Sequence, residues 1–185
     1  SDMDFILQGA GVFIYPLGLC SVLALYVIIE RLISLRGGKI VPDGLAAALL
    51  AGGNPAADNK SSLGRIINFF YEKSPNAEEL KAFARLEMTR LERGMFLLDA
   101  AISAAPLLGL LGTVAGLVSV FSSEASLTQE AITRGVGLAL STTILGLSIA
   151  IPSILGNLFL SRKIDTLCAK LDICAEHLAS RAEKI

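Results

Sequence analysis

Three long runs of the chain, residues 9–29, 100–123 and 135–161, contain no charged residue. At the α-helical rise of ~1.5 Å per residue, each outlasts a bilayer's hydrocarbon core of ~30 Å, for which ~20 residues suffice. A backbone in hydrocarbon has no water to bond, so each run predicts a helix that closes its own hydrogen bonds. Between the first two runs the pattern changes. Gly37-Gly38, Pro42, Gly52-Gly53-Asn54-Pro55 and Ser61-Ser62 cut the chain into pieces, leaving room for short helices around residues 45–50 and 63–71. From Asn76 onward Leu80, Phe83, Ala84, Leu91, Met95 and Leu98 recur at helical spacing, with Lys81, Arg85, Glu92 and Arg93 mostly on other faces. Asn76 with Glu79 three residues later is a capping-box arrangement. No Gly-Pro cluster separates this stretch from residue 100. The pattern therefore predicts one continuous helix running from this segment into the second apolar run, with Pro106 as its point of kinking. The third run likewise continues past Arg162 along an apolar stripe of Ile164, Leu167, Cys168, Leu171, Cys174, Ala175 and Leu178.

Composition agrees with that pattern. The 185 residues are 53% hydrophobic and 18% charged, with a mean hydropathy of +0.64. A soluble chain of this length needs a polar exterior that this one lacks, so the reading is an all-α membrane protein, one membrane domain over residues 1–185. The first run reads as a retained helix and not a cleaved signal. No Lys or Arg precedes it, and it ends at Glu30-Arg31 without a small-residue cleavage site. Charge placement then orients the chain. Arg31, Arg36 and Lys39 follow the first run, Arg90 and Arg93 approach the second, and Arg162-Lys163 follow the third. The loop at 124–134 has only Arg134, beside Glu124 and Glu130. The positive-inside rule puts the insert 30–99 and the tail 162–185 in the cytoplasm, with the N-terminus outside and the C-terminus inside.

A net charge of −1 gives no footprint for nucleic acid, and three cysteines make no disulfide framework. Cys168, Cys174 and His177 are the only metal-ligand candidates. They read as two small apolar residues and a lone histidine, so no metal and no cofactor are expected. Nothing resembles an enzyme's site. The membrane serines and threonines have no base beside them, and the glycines of PLLGLLGTVAGL lie within a helix instead of after a strand.

The informative positions are small and weakly polar. Pro106, Gly109, Thr113, Gly116, Val120 and Ser123 step by three and four along the second run, with Gly112 adding a Gly-x-x-x-Gly pair to Gly116. Ala139, Thr143, Gly146, Ala150, Ser153 and Asn157 do the same along the third. Each set lies on one helix face. Such a face is either a close-packing interface or the wall of a buried polar path, and spacing alone supports both. The three runs contain no Asp, Glu, Lys, Arg or His. A proton carrier at mid-membrane would have to come from another chain.

Three segments together resemble the MotA/TolQ/ExbB family of ion-motor shell subunits, on its ExbB/TolQ-like branch. They are VIIERLISLR at 27–36, APLLGLLGTVAGLVSVF at 105–121 and GVGLALSTTILGLSIAIPSILGN at 135–157. The resemblance implies a homo-oligomeric ring, a pentamer, in the bacterial inner membrane. It implies single-span ExbD/TolR-like partner helices inside the ring, carrying the membrane aspartate, and a TonB/TolA-like protein that takes up the motion. Proton-motive force would drive the device, with sodium as the alternative ion. The family's pore-facing threonines fall on Thr113 and Thr143, with Thr142 adjacent. One departure stands out: ExbB and TolQ usually carry a glutamate five residues before the third-helix threonine, and this chain has Leu138 there.

Overall fold

The computed structural model describes residues 4, 10–122 and 128–183. Among these, regular structure is all helical. A 3-10 turn at Gly11–Phe13 leads into α1 (Ile14–Ser34), followed by α2 (Gly37–Ile40), α3 (Asp43–Leu50), α4 (Ser62–Lys73), α5 (Ala77–Leu91), α6 (Met95–Ser122) and α7 (Gln129–Ala182). Three helices are long and apolar enough to cross a membrane: Gly11–Ser34, Met95–Ser122 and Gln129–Ala182. The chain folds as two compact units. One takes residues up to 29 and 94–158, the other 30–93 and 159 onward. Ser123 and part of the loop at 124–134 lie outside the described residues.

In the first unit, α1 buries Leu17, Cys20, Ala24 and Val27 and exposes Tyr15, Leu19, Val22, Leu25 and Tyr26. The buried set steps by three and four, which is one helix face; the exposed set is equally apolar. Leu107, Leu110, Leu111, Val114 and Val118 of α6, and Leu140, Ile144, Leu147, Ile151 and Leu155 of α7, are exposed as well. An apolar exterior on all three helices is stable where the surrounding medium is hydrocarbon.

The second unit has an ordinary core. Leu63, Ile66, Ile67 and Phe70 of α4 and Leu80, Ala84 and Leu91 of α5 are buried, as are Ile164, Leu167, Leu171, Cys174, Ala175 and Leu178 of α7. The tail stripe is thus buried as its spacing predicts, apart from Cys168, which is half-buried. Phe69 stacks on Phe83 with centroids 4.2 Å apart. Local signals set the helix starts. The Ser61 hydroxyl accepts the Gly64 N–H at 3.0 Å to cap α4. Asn76 and Glu79 form the reciprocal capping box that opens α5. Asp58 Oδ1 accepts the N–H groups of Lys60 and Ser61, each at 2.9 Å, and those bonds hold its carboxyl below the usual carboxylate range.

Two expectations need correction. The segment from Asn76 is not continuous with the second apolar run: α5 stops at Leu91 and α6 starts at Met95, with Gly94 between them at φ +83°. One residue in the left-handed region ends the helical hydrogen-bond ladder, and glycine takes that region without a Cβ penalty. Leu91, Met95 and Leu98 keep helical spacing across the break, so periodicity did not reveal it. The second concerns Gly37-Gly38, read as punctuation, which begins the single helical turn α2.

Candidate functional site

α6 and α7 meet through glycine. A Cβ built at Gly109 would lie 2.8 Å from the Thr142 carbonyl oxygen and 3.1 Å from Thr143 Cα. One at Gly146 would lie 2.5 Å from the Ala105 carbonyl oxygen, and one at Gly112 2.7 Å from Thr142 Oγ1. At Gly116 the obstacle is Ala139 Cβ, at 2.7 Å. Real Cβ atoms do not approach so closely, so these four glycines set the backbone separation.

That approach brings three threonines together. Thr113 Oγ1 is 2.6 Å from Thr143 Oγ1 and 3.4 Å from Thr142 Oγ1. Two carbonyl oxygens face the same point. Ala139 O accepts from Thr142 at 2.8 Å and from Thr113 at 3.0 Å, and Gly109 O lies 3.0 Å from Thr142 Oγ1, 3.2 Å from Thr113 Oγ1 and 3.3 Å from Thr143 Oγ1. Each hydroxyl has one proton to donate and lone pairs to accept with. Two arrangements satisfy the geometry. In one, Thr143 donates to Thr113 and Thr113 to Ala139 O, leaving Thr143 an outward acceptor. In the other, Thr113 donates to Thr143, whose own proton is free for Gly109 O at 3.3 Å or for an outward acceptor. Thr113 and Thr142 are buried, whereas Thr143 is half-buried and is the member open to a further partner.

The seam extends from there. Ala150 and Ser153 of α7 are buried, with the Ser153 hydroxyl donating to Ile149 O at 2.6 Å. Pro106 is half-buried within α6 and, lacking an N–H, takes the helical donor from the Ile102 carbonyl. Asn157 Nδ2 donates to the exposed Asp99 carboxylate at 3.0 Å, while its Oδ1 is buried without a partner among the described residues. Asp99 stands one turn inside α6, just before the second charge-free run; its contact with Asn157 was not foreseen from the sequence.

The sequence matches the MotA/TolQ/ExbB proton channel family over residues 67–173. The chain belongs to this family. It is 29% identical to the biopolymer transport protein exbB1 of Vibrio cholerae, over 89% of this chain and 82% of that protein. It is 36% identical to a protein named ExbB-like 1 from Synechocystis, over 83% of this chain and 68% of the relative. The biopolymer transport protein ExbB of Helicobacter pylori is 35% identical over 56% of this chain and 72% of its own length. With family membership, the three apolar helices make this a multi-pass membrane protein. Leu138, at the position of the family's usual glutamate, is half-buried. Away from the seam, Cys174 is buried, and burial pushes its thiol above the ordinary range, against a thiolate ligand. Among the described residues no three His, Cys, Asp or Glu side chains converge as metal ligands would.

No motif marks Glu87 as a site residue. It is fully buried, with Oε2 2.7 and 2.9 Å from two nitrogens of Arg65 and Oε1 2.7 Å from Arg90. A signal was present: Glu87 stands on the apolar stripe of α5, three residues after Ala84 and four before Leu91.

Proposed function

We propose that this chain is the shell subunit of a proton-motive-force-driven motor channel in the bacterial inner membrane. Five copies surround single-span ExbD/TolR-like helices that carry the membrane aspartate, and the motion drives an envelope process such as TonB-dependent transport. One observation carries the reading. Three threonine hydroxyls converge on the α6–α7 seam, with no ionisable side chain at 100–122 or 135–161. A hydroxyl can donate to a carboxylate or accept from an acid, so Thr143 can serve a partner's aspartate in both protonation states. The names of the Vibrio and Helicobacter relatives, biopolymer transport proteins, agree with such a role. The proposed orientation puts the N-terminus outside, with 30–99 and the tail from 162 in the cytoplasm, as the distribution of Lys and Arg asks.

A second reading has its own support. The close approach at Gly109, Gly112 and Gly146 is what a non-conducting scaffold would also need, and every threonine proton has an acceptor within the seam. Valine substitution separates the two, since it keeps the shape of threonine and removes the hydroxyl. For a scaffold, Thr143→Val and Thr113→Val should cost about 1 kcal/mol or less, as hydrogen bonds within membranes average roughly 0.6. For the channel, native mass spectrometry should show intact pentamers with partner bound while energised transport falls sharply, more for Thr143 than for Thr113. Full activity in the triple Thr113→Val, Thr142→Val, Thr143→Val variant would end the channel assignment.

A further inference from the structure

The second unit contains a cavity of about 480 Å3 with four arginines in its wall, Arg31, Arg65, Arg90 and Arg93, and the hydroxyls of Ser34 and Ser62. Among the described residues no carboxylate lines it. The acids that touch these arginines are Glu30, on Arg31, and Glu87, shared by Arg65 and Arg90. Four guanidinium groups thus face two carboxylates, and two positive charges are left over. The arginines differ in how firmly they are held. Arg31 is buried and bonds Glu30 and the Leu91 carbonyl oxygen. Arg65 is fixed by Glu87, by Ser62 Oγ and by the carbonyl oxygens of Asn59 and Lys60. Arg90 gives one nitrogen to Glu87 and is otherwise exposed. Arg93 is exposed, and among the described residues its guanidinium makes no hydrogen bond or ion pair, acting on Glu30 only through its charge. Two rigid cations and two with donors to spare around one cavity make a site prepared for an anion.

Its shape and place narrow the anion. Planar guanidinium forks match the oxygens of a phosphate, and the serine hydroxyls can donate to the same group. Leu35, Ile40 and Leu91 supply apolar wall beside the charges, which suits an ester with carbon attached better than a small inorganic ion. Arg31 and Ser34 stand on the last turns of α1, where that helix leaves its apolar stretch, so the cavity begins at a membrane-crossing element. We propose that this cavity binds a phosphate ester, supplied by the headgroup of an anionic phospholipid. Basic pockets at the ends of membrane helices take such headgroups, and cardiolipin, with two phosphodiesters, matches the two positive charges left over.

Arg93→Gln is the variant of choice, because the Arg93 side chain makes no hydrogen bond or ion pair among the described residues and its loss leaves the core, the Glu87 pairs and the Glu30–Arg31 bonds in place. Arg85→Gln, the same charge change on an exposed residue of α5 outside the cavity, is the control. Lipid carried through detergent purification is quantified by mass spectrometry. Delipidated protein is then titrated with nanodiscs containing cardiolipin or phosphatidylglycerol, and separately with glycerol 3-phosphate and inorganic phosphate. The expected result is about a fivefold loss of anionic-lipid retention and affinity in Arg93→Gln, with Arg85→Gln unchanged. Arg93→Lys, which keeps the charge without the fork, should lie between them. Arg93-dependent binding of the soluble phosphates, with no preference for the anionic nanodiscs, would keep the phosphate chemistry and overturn the lipid source. Equal retention and affinity in Arg93→Gln and Arg85→Gln would overturn the site.

Discussion

Glu87 is fully enclosed in the second unit, while its partners Arg65 and Arg90 keep 30% and 56% of their side-chain surface exposed. Neutralising the acid strands two cations that water still reaches in part. Breaking a buried pair costs about 3–5 kcal/mol, and exposure of the cations moves the expectation for Glu87→Gln to the low end, about 2–3 kcal/mol. Thermal unfolding of the detergent-solubilised variant measures this, and an unshifted midpoint would mean that the pairs carry no stability. A binary apolar/polar pattern spells Glu87 as an interruption of the stripe, so its burial was hidden. The threonines were legible for the opposite reason. Thr113 and Thr143 lie on small-residue faces whose period is that of the helix itself, and those faces do pack together. What spacing could not supply was the pairing across the helices, which puts Thr113 between Thr142 and Thr143 and leaves Thr143 as the more open hydroxyl.

At the scale of the element, glycines do two different jobs. Gly94 separates α5 from α6 through its positive φ, and a Cβ there would meet no atom within 4 Å. Gly146 has no such backbone demand, but a Cβ there would collide with the Ala105 carbonyl oxygen. Gly94→Ala should therefore cost only the left-handed backbone term, about 1–2 kcal/mol. Gly146→Ala must push two helices apart, with an overpacking cost of about 1–3 kcal/mol and a displaced threonine cluster. Denaturation of the two variants would show both destabilised. Energised transport separates them, falling in Gly146→Ala and persisting in Gly94→Ala, and the reverse order would contradict the seam's role. Existence and type of the long helices were readable because apolar runs of that length have one solution in lipid. The break at Gly94 was not, because a single backbone torsion leaves the hydrophobic spacing undisturbed. Asp58 adds a pH dependence of known sign. Its carboxyl is depressed in the folded chain, so the turn it closes before α4 is supported above the unfolded-state value and loses that support as pH falls through the folded one. The protection of the Lys60 and Ser61 amides against hydrogen exchange, taken relative to the intrinsic rate at each pH, should fall on acidification, and Asp58→Asn should remove that pH dependence.

For the whole molecule the remaining question is which side of the membrane each segment occupies. The apolar exterior of α1, α6 and α7 fixes a membrane as the surroundings, but a hydrocarbon slab is symmetric and cannot choose a direction. Direction rests on charge. Arg31, Arg36, Lys39, Arg90, Arg93, Arg162 and Lys163 stand at the ends of the charge-free runs that adjoin residues 30–99 and the tail, and the stretch 124–134 between the second and third runs offers only Arg134 against Glu124 and Glu130. Retention of Lys and Arg in the cytoplasm during insertion is the basis of the proposed orientation. The label positions should be exposed side chains that hold no structure. Glu78, on α5, and Thr128, ahead of α7, are both exposed. Thr128 is the less innocent of the two, since its hydroxyl accepts the Ala131 N–H at 3.3 Å, so a mild loss of helix-start stability there is expected. With Cys20, Cys168 and Cys174 replaced, a single cysteine at residue 128 should react in intact cells with a membrane-impermeant maleimide. One at residue 78 should react only after the membrane is opened. Both labelling from the outside, or both only after opening, would break the three-span arrangement. A clean inversion would keep the three spans and turn the chain over, and the proposed cytoplasmic unit, with its arginine-lined cavity, would then face the envelope.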